Sequence, residues 1–156
     1  MGLDMYLKAS RYVSGWDFDG KDQVKNFSDI LEKMDLDMSD VKDGNPSMTI
    51  SVTVGYWRKA NAIHKWFVDN VQEGRDECQT TYVTRDQLKG LKTLCLEVLV
   101  DNSKANTLLP PQSGFFFGST AIDEWYLDDL KQTVRIIDRC LSDKFKRFSF
   151  EYRSSW

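Results

Sequence analysis

Four consecutive residues, Tyr56-Trp57-Arg58-Lys59, place two stacking surfaces and two cations directly after Gly55. If a helix opens there, the spacing offers what a small anion needs. A helix N-terminus presents unpaired N–H groups and partial positive charge, and the two cations stand beside them. Arg58 and Lys59 in a first helical turn oppose the helix dipole by about 0.3–1 kcal/mol each at most. No Ser, Thr, Asp or Asn stands at the expected cap. A bound anion relieves both defects through charge-assisted hydrogen bonds. Asn61 and His64 follow one to two turns along, and Gln112 and Ser113 offer further polar contacts. The competing account is that Arg58 and Lys59 are solvated, since surface charges often ignore the dipole at small cost.

Other constellations carry less. His64 is the one histidine of the chain and falls on an apolar stripe with Ala60 and Phe67. That position fits a half-buried structural histidine better than a general base, which needs a partner carboxylate or reacting group. Trp66 lies on the opposite side of the same stretch. Exposed, it marks a partner or subunit interface; covered by the acidic segment or the last strand, it is core. The run from Gln112 to Thr120 departs from a Walker phosphate loop, because its glycines stand one residue too close and no Lys follows Gly118. Phe115, Phe116 and Phe117 between those glycines read as a core plug or a hydrophobic ligand wall. The turn Asp17-Phe18-Asp19-Gly20 lacks the glycine and glutamate positions of a calcium loop. The cysteines and His64 show no zinc-ligand spacing. No catalytic residue, metal or cofactor is assigned, and an enzyme using His64 is the least supported reading.

The elements that must position these residues follow from periodicity. Leu3 to Val13 alternates and reads as a strand. A helix is expected near residues 21–35, with Val24, Phe27, Leu31 and Met34 on one stripe above an acidic back. Gly44-Asn45-Pro46 marks a turn. Met48 to Val54 is β-branched and predicts a strand punctuated by Gly55. A helix from about Trp57 to Val71 follows, with Trp57, Ala60, His64, Phe67 and Val71 buried and Gly74 ending it. Thr80 to Val83 is a short strand. Thr84 and Gln87 form a capping box for a helix that turns Leu88, Leu91, Cys95 and Val98 inward and ends near Asn102. Phe115 to Phe117 is expected to pass through extended structure. Thr120 caps a long helix to about Ser142, carrying Ile122, Tyr126 and Leu130 inward. Phe145 to Tyr152 closes the chain as a strand. This order lacks βαβ spacing and predicts an α+β fold, a mostly antiparallel sheet packed on one face by three to four helices, in a single domain over residues 1–156.

Composition bounds the function. The 156 residues include five Trp, six Tyr and nine Phe, a burial payload that a disordered chain lacks. Net charge is −3, which argues against general nucleic-acid binding. Between Ser14 and Ser47 nine acids face four lysines, a net of −5, so the remainder carries +2 and allows a modest anion-binding surface. Cys78, Cys95 and Cys140 are odd in number and widely spaced, as in a reducing compartment. No secretory or membrane-spanning run is legible, and the expected location is cytoplasmic.

Three blocks carry a resemblance: MGLDMYL at the start, GYWRKANAIHKWFV from Gly55 to Val68, and LLPPQSGFFFGSTAIDEWYLDDL from Leu108 to Leu130. They resemble stretches of a family of small, uncharacterised bacteriophage and prophage proteins. The resemblance implies a phage-encoded protein acting in a bacterial cytoplasm and supplies no catalytic residues. The leading expectation is a protein that captures a small anionic, nucleotide-like ligand through Tyr56, Trp57, Arg58, Lys59 and Asn61, so sequestering a host molecule. The alternative is an inhibitor or interaction module that acts on a host protein through Trp66, the acidic segment, or Tyr152 and Trp156. An apolar edge on the terminal strand leaves room for a homodimer.

Overall fold

A computed structural model describes residues 2–16, 21–41 and 46–156. The turn Asp17–Gly20 and the Gly44-Asn45 part of the second turn lie outside the described residues. In chain order the elements are β1 (Asp4–Ser14), α1 (Lys21–Glu32), β2 (Ser47–Arg58), α2 (Asn61–Asn70) and β3 (Thr81–Val83). They continue with α3 (Arg85–Val100), α4 (Ala105–Leu108), α5 (Glu124–Leu141) and β4 (Ser149–Ser155). The four strands form an antiparallel sheet in the order β2-β1-β4-β3, and the fold is α+β as its patterning predicts. Two compact units divide the chain: Met1–Ala9 with Val52–Trp156, and Ser10–Ser51.

In the larger unit, strand alternation decides what is buried. Leu3, just before β1, and Met5, Leu7 and Ala9 of β1 are fully buried, while Lys8 is exposed. On β4 the buried residues are Phe150, Tyr152 and Ser154, and Thr81 of β3 stands opposite Tyr152. Helices α2, α3 and α5 lay their apolar faces on this surface, joined by Ala105 of α4. The Thr84 capping box holds α3 at its start, with Gln87 N–H donating to Thr84 Oγ1 at 3.1 Å and Thr84 N–H to Gln87 Oε1 at 2.9 Å. Side chains of α5 guard β2 at the sheet edge: Gln132 donates to the Tyr56 carbonyl and Arg139 to that of Val54. β4 lies between β1 and β3, and β3 pairs with it along Phe150–Tyr152, so over those residues the terminal strand is not an edge.

The smaller unit has its own core of Val13, Phe27 and Leu31, with Met48 and Ile50 packed against it. Its helix stops earlier than periodicity indicates. Asp35 adopts a left-handed φ of 56°, and Leu36 N–H donates back to the Leu31 carbonyl at 3.0 Å. This closes the helix as a C-terminal capping turn and leaves Met34 exposed.

Gly55 is where the sequence misleads most. It does not end β2; the strand runs on through Tyr56 and Trp57 to Arg58. Its role is close approach: a Cβ at Gly55 would lie 2.8 Å from Ile136 Cγ2 of α5. The long helix likewise starts later than expected, because Asp123 takes the cap and accepts from Tyr126 N–H at 3.1 Å, leaving Thr120 and the exposed Ile122 outside. Phe115 to Phe117 form a turn and not an extended passage, with Phe117 N–H donating to Gly114 O.

Candidate functional site: a mixed-charge cavity at the start of α2

Because β2 continues past Gly55, its alternation carries into the four residues expected to open a helix. Trp57 turns inward and is 1% exposed, its Nε1–H donating to Thr133 Oγ1 of α5 at 2.9 Å. It is a core side chain and offers no stacking face. Tyr56 turns the other way and donates to the Asp4 carboxylate, a bond that holds its hydroxyl above the usual tyrosine pKa. Arg58 ends the strand. Lys59 then reverses the chain with a left-handed φ of 60°, its N–H donating to Leu3 O at 2.8 Å. The next residue, Ala60, is the N-cap of α2, and no side chain caps that helix.

A cavity of about 280 Å³ opens at this point. The turn and first helical residues of α2 supply Arg58, Lys59, Ala62 and Ile63 to its lining, and the start of α5 supplies Asp123, Trp125 and Asp129. Two helix starts therefore meet one space. At α5 the Asp123 carboxylate already caps the amides; at α2 no side chain does. The side chains of Arg58 and Lys59 make no hydrogen bond or ion pair among the described residues, and the same holds for the Asp129 carboxylate. Burial pushes Asp129 up to about 6, with the charges of Asp128 and Asp123 adding to the effect. The Trp125 indole is 80% exposed.

The loop beside the cavity is fastened from α2. Asn61 is buried; its Nδ2 donates to the carbonyls of Phe117 at 3.1 Å and Ser119 at 2.7 Å, and its Oδ1 accepts from Gln112 N–H at 3.0 Å. All the hydrogen-bonding capacity this geometry uses goes to the chain itself, so Asn61 shapes the cavity wall as a structural clamp. Gly118 has a φ of 86°, and a Cβ there would meet Lys59 Cβ at 3.1 Å. Gln112 and Ser113 were expected as polar contacts but do not line the cavity. Of the aromatic block, Phe117 is buried and Phe115 is 95% exposed, so one plugs the core and the other does not.

His64 is also placed elsewhere. It is fully buried, with Nε2–H donating to Asp76 Oδ2 at 2.9 Å and Nδ1 sharing a hydrogen with the Tyr152 hydroxyl at 2.8 Å. The carboxylate that a general base would need is present, but a reacting group has no access. Trp66, expected as an interface residue if exposed, is 8% exposed and packs edge-on against Phe67. Among the described residues no three His, Cys, Asp or Glu side chains gather as a metal site requires.

Of the residues singled out from sequence, the cavity brings together Arg58, Lys59 and Asn61. It omits Tyr56, Trp57, His64, Gln112 and Ser113. Trp125 and Asp129 were missed. Asp129 had a legible sign: it stands three residues after Tyr126 and four before Thr133, both buried, so it is an acid at the margin of an apolar stripe.

Fold and cavity define an α+β protein with a small pocket that carries unpaired charge of both signs. No family model, no curated protein and no solved structure matches the chain.

Proposed function

We propose that this protein binds a small anionic, nucleotide-like ligand in the cavity at the start of α2, and that it acts as a phage-encoded protein sequestering that molecule in a bacterial host. The observation that carries the reading is the pairing of an uncapped helix start with two cations, Arg58 and Lys59, whose side chains are unpaired among the described residues, around one open cavity. An anionic group there accepts from first-turn amides and from both cations. The exposed Trp125 supplies the flat apolar surface for a ring, the part first assigned to Trp57. The volume, about 280 Å³, lies just below the roughly 300–1,000 Å³ of ligand pockets and favours a mononucleotide over a dinucleotide. The phage origin and the host role rest on the three sequence blocks.

The test is a thermal-shift titration with nucleoside monophosphates and cyclic dinucleotides. The expected result is a saturable rise in melting temperature with mononucleotides, equivalent to about 2.7 kcal/mol at a hundredfold excess over Kd. Combined Arg58→Ala and Lys59→Ala substitution removes it. Absence of any shift at millimolar concentrations overturns the proposal. A second reading, docking to a host protein, is favoured by Phe115 and Trp125, which are 95% and 80% exposed. Capture of a host protein that is lost on Phe115→Ala, without any nucleotide effect, selects that reading.

A further inference from the structure

The cavity has a second pole that an anion alone does not use. Asp129 is half-buried and lines the same space as Arg58 and Lys59, and its carboxylate has neither a hydrogen-bond donor nor an ion-pair partner among the described residues. Opposite charges share one cavity without reaching each other, since no ion pair within 4.0 Å joins either cation to Asp123 or Asp129. Asp123 is already committed to capping α5. A half-buried carboxylate without a donor is costly unless something else supplies one.

Resting on the reading above, the geometry points to a ligand with two ends: an anionic group held at Arg58, Lys59 and the start of α2, and an amine that donates to Asp129. Within the nucleotide class this means a base that carries an exocyclic amino group, flanked by the Trp125 indole. A carboxylate accepts from such amines, and a site built around that bond rejects analogues that lack the donor. Burial, then the charges of Asp128 on α5 and Asp123 at its N-cap, act on Asp129; Arg58 at the end of β2 and Lys59 in the turn before α2 face the same cavity. Asp128 is itself paired with Lys131 at 2.8 Å.

The experiment is calorimetric titration of the full chain with two matched pairs, GMP against IMP and CMP against UMP. Each pair keeps the phosphate and changes the amine. GMP and CMP are expected to bind at least about tenfold tighter than their partners, and Asp129→Asn brings each pair to within about twofold. The preference should also grow from about pH 5 to pH 7 as the carboxylate ionises. Phosphate titrates in the same range, but its contribution cancels within a pair. Equal affinity within both pairs, with binding still lost on Arg58→Ala, overturns the amine inference and leaves the anion site standing. No binding by any of the four overturns both. Asp129→Glu keeps the charge, and its failure to retain any part of the preference while the protein stays folded also counts against the inference.

Discussion

His64 and Asp129 are both ionisable side chains on helices of the larger unit, and the protein treats them in opposite ways. The His64 ring is completed on both nitrogens, and its partners are held in turn. Tyr152 stacks on Phe67 with ring centres 3.9 Å apart, and Asp76 accepts from Trp156 Nε1–H at 3.1 Å. Burial, then Asp76 and Cys78, drive the Tyr152 hydroxyl well above its ordinary pKa, so it remains a neutral partner. Around Asp129 nothing is completed. Its charge, and those of Arg58 and Lys59, stand beside an open cavity without partners among the described residues. A closed set of hydrogen bonds specifies a fold and leaves no valence for a ligand. An open set of charges at a cavity has no structural return and is the better place to look for binding.

The comparison breaks most readily at His64. His64→Ala opens a void beside Phe117 and Tyr152 and strands the buried Tyr152 hydroxyl, so the expected loss is about 3 kcal/mol of unfolding free energy. A lower urea midpoint with unchanged slope would show this. A loss below about 1 kcal/mol would mean that the cluster does not hold the core together, and the contrast with Asp129 would fall.

The second effect has the opposite sign. The folded-state pKa of Asp129, about 6, lies above the roughly 3.9 of an unfolded aspartate. Folding therefore takes up a proton between those values. The penalty for ionised Asp129 is full above about pH 6 and vanishes below about pH 4. Asp129→Asn removes that penalty. The variant should be more stable than the parent near pH 7 by about 1 kcal/mol, a figure reduced from the full shift because the carboxylate is part-exposed. The two should converge near pH 4. Denaturation midpoints across that range provide the check, and an Asn variant less stable at pH 7 would show that the carboxylate has a structural partner.

How far these two regions could be read without coordinates differs for a physical reason. Strand alternation, helical stripes and the Thr84 capping box are local patterns, and they gave β1, β3 and α3 close to their observed limits. The stripe through Ala60, His64 and Phe67 also favoured a half-buried structural His64, although His64 was equally carried as a ligand contact, which the full burial of its ring corrects. What failed depended on distant neighbours. Gly55 looked like punctuation because its reason is Ile136, 81 positions away in sequence. Asn61 looked like a ligand contact because the carbonyls it clamps belong to Phe117 and Ser119. The first error moved the start of α2, and with it the aromatic pair thought to flank an anion. Arg58 and Lys59 survived as cavity residues because charged side chains beside a helix start stay near it whether the strand ends three residues earlier or later.

Arg58 gives the smallest expected stability effect and the sharpest separation. Its guanidinium is exposed and unpaired among the described residues, so Arg58→Ala should change the unfolding free energy by less than about 0.5 kcal/mol. Its charge does reach Tyr56, lowering a hydroxyl that Asp4 raises, but that group is neutral at ordinary pH and contributes no compensating loss. A guanidinium that fixes an anionic group, by contrast, is worth about 1.5–3 kcal/mol of binding through charged hydrogen bonds, or roughly tenfold to over a hundredfold in Kd. Stability and affinity measured on the same preparation should therefore part company at Arg58 and move together at His64, where losing the fold loses the cavity as well. If Arg58→Ala destabilises the protein as much as it weakens binding, Arg58 belongs with the closed set of bonds, and the open charges around the cavity reduce to Lys59 and Asp129.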